Sequence, residues 1–156
     1  MSAELRSLTF QTMLWSTEQP LMKCHGALPD LINAIQKIDD PLFGNYGKDL
    51  PVNHIQLAVS KVFKDGGISW PKIVGVFALC AAMVKNFKGK DDVLLKIVGE
   101  FTTALHGWTG RWIDAHGGWL TFMNFVKKQE EDKSSLQYAA FTVLATVMVY
   151  LIYLNK

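Results

Sequence analysis

The sequence predicts an all-α protein in which amphipathic helices pack around one helix that has no polar face, followed by a helix suited to a lipid bilayer. Three observations carry this prediction. Apolar residues recur at three- and four-residue steps through most of residues 1–127, the period of one face of a helix. The twelve residues Ile73 to Val84, IVGVFALCAAMV, contain nothing polar, so a helix formed there needs neighbours on every side. The nineteen residues Leu136 to Leu154, LQYAAFTVLATVMVYLIYL, carry no charge; as a helix they measure about 28 Å, close to the ~30 Å hydrocarbon thickness of a bilayer.

Taken in order, the first helix runs from Ser2 to about Thr17, with Ser2 as a candidate cap and Leu5, Leu8, Met13 and Trp15 as its apolar side chains. A second spans Leu28 to Ile38, with Leu28, Leu31, Ile32, Ile35 and Ile38 on one stripe, and Pro41 stops it. Leu42 to Lys48, with Gly44, Asn45 and Gly47, reads as a loop. Ile55, Ala58, Val59, Val62 and Phe63 form the next amphipathic helix, closed by Asp65-Gly66-Gly67, where glycine suits the left-handed residue that ends many helices. Ser69-Trp70-Pro71 opens the apolar helix, serine as cap and proline in the first turn, where no hydrogen bond is lost.

That helix, only about 18 Å over its apolar run, is too short for a membrane and is the expected centre of the core. Asp91 or Asp92 is expected to cap its successor, whose stripe Leu94, Ile97, Val98, Phe101 and Leu105 ends at Gly107. A short helix at Trp108 to Asp114, the pair Gly117-Gly118 and a last helix from Trp119 to Lys127 complete the domain. The division expected is therefore a helical domain at 1–127, a polar linker at 128–135 and a membrane tail at 136–154. Tyr138, Tyr150 and Tyr153 lie near the ends of that tail, where amphipathic rings favour the headgroup region. The alternative for this last segment is a second buried core helix. The first fifteen residues, interrupted by Glu4, Arg6 and Gln11, do not form a secretory signal, so targeting is expected from the tail, inserted after synthesis with the domain facing the cytosol.

Composition narrows the function. With 16 Lys and Arg against 14 Asp and Glu, the net charge of +2 falls far short of the positive field that nucleic acid requires. Two cysteines, Cys24 and Cys80, allow at most one bridge, which fits a reducing compartment. Neither Gly47-Lys48 nor Gly89-Lys90 has the upstream glycine of a phosphate-binding loop, and there is no GxSxG turn. His25, His54, His106 and His116 lack metal-binding spacing. Neither a catalytic group nor a metal or other cofactor is expected.

Two clusters of aromatic residues and glycine remain. Phe63-Lys64-Asp65-Gly66-Gly67-Ile68-Ser69-Trp70-Pro71-Lys72-Ile73-Val74 resembles the first homology region of the Bcl-2 family of apoptosis regulators, F-R-D-G-x-N-W-G-R-I-V, and Trp112-Ile113-Asp114-Ala115-His116-Gly117-Gly118-Trp119 resembles the second, W-I-x-x-x-G-G-W. The resemblance implies a Bcl-2-like bundle around a central apolar hairpin, and a surface groove that takes the amphipathic death-motif (BH3) helix of a pro-apoptotic relative. Matched to the motifs, Ala58, Val62, Ser69, Lys72, Gly75, Leu79 and Val126 would line that groove, with Leu31, Ile35 and Phe43 contributed from the second helix. Trp70, Trp112, Gly117, Gly118 and Trp119 would hold the helix junctions.

The departures matter as well. One extra residue separates Asp65 from Trp70, and Ser69, Pro71 and Lys72 stand where the family has Asn, Gly and Arg. That arginine pairs with the acid of the bound helix, so Lys72 would supply charge without the bidentate fork. A killing relative displays a death motif of its own. Here Leu31, Ile35, Ile38, Asp39, Asp40 and Leu42 follow its spacing, but Asp39 fills the place of a small residue and Pro41 breaks the helix. The resemblance therefore favours a pro-survival protein, most like the compact virus-encoded members, anchored at the mitochondrial outer membrane or the endoplasmic reticulum. The alternatives are a pore-forming killer and a tail-anchored scaffold without a groove. An empty groove would expose enough apolar surface to call for a cover, either the tail or a second copy of the chain.

Overall fold

The computed structural model describes residues 2–16, 26–38, 41–129 and 134–154. Cys24, His25, Asp39, Asp40 and the middle of the expected linker lie outside them. The described residues form eight α-helices and no strand: α1 (Ser2–Ser16), α2 (Leu28–Lys37), α3 (Pro41–Asp49), α4 (Ile55–Lys64), α5 (Trp70–Asn86), α6 (Asp91–Ala115), α7 (Gly118–Gln129) and α8 (Ser134–Leu154), with a single 3-10 turn at Val52–His54 ahead of α4.

The apolar run sits at the centre. Along α5 only Pro71, Ala82, Lys85 and Asn86 escape full burial, and α1, α2, α3, α4, α6 and α8 all pack on it. Its first turn is set by Ser69, whose Oγ accepts from the Lys72 amide at 3.4 Å, with Pro71 already inside the helix. Around it the amphipathic helices bury the stripes that their periodicity marks out, such as Leu28, Leu31, Ala34 and Ile35 of α2 and Ile55, Ala58, Val59, Val62 and Phe63 of α4. Three buried threonines satisfy their hydroxyls within their own helices: Thr9, Thr12 and Thr109 donate to the carbonyls of Leu5, Leu8 and Leu105 at 2.6 to 2.7 Å.

Three expectations need correction. The segment Leu42 to Lys48 is not a loop but the body of α3. Pro41, read as a stop, also serves as a first-turn residue and starts a new helix; Gly47 brings the backbone of α3 against α5, because a Cβ there would lie 3.0 Å from Met83 Cγ. Gly107 does not end a helix, since α6 runs unbroken to Ala115. An interior glycine costs a helix only about 1 kcal/mol, and burial of Thr109, Gly110 and Ile113 beyond it offsets that cost. Finally, neither Asp91 nor Asp92 is the cap of α6: Lys90 holds that position without a side-chain bond, and both aspartates sit in the first turn, where negative charge complements the helix dipole.

Candidate functional site

The site grows from two helix junctions. At the first, α4 ends at Lys64, Asp65 leaves the helix extended, and Gly66 and Gly67 turn back with φ of 83° and 85°, values that favour glycine. The Lys72 side chain folds under this turn and is 8% exposed. Its Nζ donates to the carbonyl oxygens of Val62 (3.0 Å), Gly67 (3.0 Å) and Asp65. Burial pushes the ammonium below the ordinary lysine value, and the nearby Asp65 carboxylate partly offsets this. At the second junction, Gly117 and Gly118 with φ of 92° and 70° reverse the chain between α6 and α7.

Aromatic rings tie the two junctions together. Trp70 meets Trp112 edge-on with ring centroids 5.1 Å apart, and also packs on Trp119 at 5.7 Å and Phe122 at 5.2 Å. Trp112 stacks on His116 at 4.1 Å. The residues that resembled two separate motifs are thus one cluster at the end of the α5–α6 hairpin, and it fixes where α4 and α7 leave that hairpin.

Beside the hairpin, α2, α3, α4 and α5 form a trough, and α8 lies in it, packed chiefly on α5 with further contacts to α4, α3 and α2. One face of α8 is buried: Leu136, Ala140, Val143, Leu144, Val147 and Leu151, spaced at the three- and four-residue steps by which a helix fills a groove. The approach is closest at Gly75, where a Cβ would stand 2.7 Å from Val143 Cγ2. The opposite face, with Tyr138, Phe141, Val149, Ile152 and Tyr153, remains exposed.

Of the residues matched to the groove, Leu31, Ile35, Phe43, Ala58, Val62, Gly75 and Leu79 are buried on the helices that form the trough, whereas Val126 is buried on α7, which is not one of them. Phe43 comes from α3, beyond the end of the second helix. Ser69 is engaged as the α5 cap and Lys72 beneath the turn, so neither presents a free polar group to the trough. One contact was not apparent from sequence: His54 Nδ1 lies 2.8 Å from the Tyr150 hydroxyl, tying the start of α4 to the far end of α8. Residues 96 positions apart give no local signal of such a bond. Beside it a cleft of about 720 Å³ opens between α4 and α8, with Leu57, Lys61 and Asp65 on one wall and Val149, Tyr153 and Leu154 on the other. Among the described residues no group of His, Cys, Asp and Glu is arranged to hold a metal.

Comparison with known proteins agrees with this geometry. The chain is 35% identical over 92 residues to Bcl-2-related protein A1 of Bos taurus, an alignment covering 54% of this chain and 50% of that protein; the chain thus spans about half the length of the curated relative it matches. No solved structure matches. The profile of the apoptosis regulator proteins of the Bcl-2 family matches residues 28–119, from the start of α2 to the first turn of α7, and takes in both tryptophan-glycine junctions. On that match, and on the helical bundle built around the junctions, the chain belongs to the Bcl-2 family.

Proposed function

We propose that this chain is a pro-survival member of its family that captures death-motif helices of pro-apoptotic relatives in the trough between α2 and α5, and so prevents permeabilisation of the mitochondrial outer membrane. The observation that carries the reading is the seating of α8. An apolar helix with buried residues at three- and four-residue steps already lies in that trough, and the face it covers is of the kind an amphipathic ligand helix would use. Leu31 and Ile35, the residues by which α2 could act as a killing ligand, are buried in the core; this favours a receptor of death motifs over a donor of one.

The same α8 is long enough to cross a bilayer over Leu136–Leu154, so it has two apolar destinations, the trough and the membrane. In this reading the chain anchors to the outer mitochondrial membrane through α8, facing the cytosol, and departure of the tail vacates the groove for a ligand. Expression in cells challenged with a death stimulus tests it: survival should rise, and Gly75→Glu, which places a charge on the trough floor, should abolish the protection. Increased death on expression would reverse the assignment.

A further inference from the structure

The site in the fold where this family's arginine meets a ligand acid is held here by Lys72, and its ammonium is otherwise engaged. A lysine has three N–H donors, and three backbone carbonyls, those of Val62, Asp65 and Gly67, surround this one. Val62 lies in the last turn of α4, where carbonyls lack intrahelical partners and a cation is favoured; Asp65 and Gly67 belong to the turn that follows. Swinging the side chain outward would take the donor from all three carbonyls at once and leave the Val62 carbonyl, whose bond to Lys72 is buried, without a partner. The exposed Asp65 carboxylate at the same junction would repel a second acid brought there.

The occupant of the trough supplies an independent observation. From Leu136 to Leu154 α8 has no charged residue, yet it seats against Gly75 and buries six apolar side chains. A helix without an acid therefore already fits.

We infer that Lys72 locks the α4–α5 turn and is not the receptor of a ligand carboxylate, so that the groove selects amphipathic helices by their apolar residues alone. This deepens the proposed capture of death-motif helices and rests on it. Lys72 is a positioning residue: it holds the turn that shapes the groove wall, and partners whose death motif lacks the acid are accepted alongside those that have it.

The test uses the full-length chain and two fluorescein-labelled four-turn peptides, a death motif with its aspartate and the same peptide with asparagine in that position. The tail competes equally with both, so the ratio of their dissociation constants isolates the acid. The expected result is a ratio within threefold, unchanged in Lys72→Met even as that variant melts at lower temperature. A loss of more than threefold for the asparagine peptide overturns the inference, and this reading needs only the unsubstituted chain, so it stands if the variant fails to fold. Binding of neither peptide, measured with vesicles of outer-mitochondrial composition present to draw α8 out, overturns the capture reading itself and the inference with it.

Discussion

Cys80 illustrates how position decides chemistry at the level of single residues. It lies wholly buried on α5, and burial holds its thiol well above the ordinary cysteine range, so the reactive thiolate is scarce. Iodoacetamide should leave Cys80 unmodified in the folded protein and alkylate it fully in ~6 M guanidinium, where the core is exposed; peptide mass spectrometry reads both states. Rapid native labelling would mean that α5 is not enclosed. Ser69 makes a smaller contribution of a different kind. Its contact to the Lys72 amide is long, at 3.4 Å, so Ser69→Ala should lower stability by about 0.5 to 1 kcal/mol, the modest end of the range for helix caps. That loss appears as a shift in urea midpoint at constant slope.

At the scale of elements, the docking of α8 turns on Gly75 and Val143. Val143→Asp would put a carboxylate into the close contact with Gly75, where burial disfavours a charge; the helix should leave the trough while α1 to α7 remain folded. Limited proteolysis should then cut within α8 at least tenfold faster than in the unsubstituted chain, with unchanged resistance in α5 and α6. Equal cleavage rates would show that α8 is not held where the structure places it.

The elements also show what the sequence makes legible. The stripes of α2, α4 and α6 and the enclosed run of α5 could be read directly, because polar residues mark the opposite face or their absence marks burial. On α8 the same logic fails. A segment apolar all round shows a membrane helix and a groove helix alike, and nothing in its composition distinguishes the buried face of Val143 and Val147 from the exposed face of Phe141 and Ile152. The glycines of α3 and α6 misled for a related reason: local propensity sets a cost near 1 kcal/mol, and contacts distant in sequence, such as Gly47 against Met83, outweigh it. Lys72 was legible as a charge at a motif position, but its direction was not, since the carbonyls that hold it are exposed only once the turn has formed.

At the scale of the whole molecule, α8 lies in the groove and is also long and apolar enough to cross a bilayer. A ligand that binds only the vacated groove has its apparent affinity reduced by the fraction of molecules in which the tail has left. Lipid should therefore assist capture: vesicles with an outer-mitochondrial composition should draw α8 out and strengthen peptide binding, whereas a chain whose α8 stays docked would bind the peptide equally with and without them. The most direct measurement is a fluorescence-anisotropy titration of a death-motif peptide against the full-length chain and its Val143→Asp variant, without lipid. The variant should bind with a dissociation constant below about 10 μM and the unsubstituted chain at least tenfold more weakly; equal affinities, or no binding to either, would contradict a groove that α8 covers.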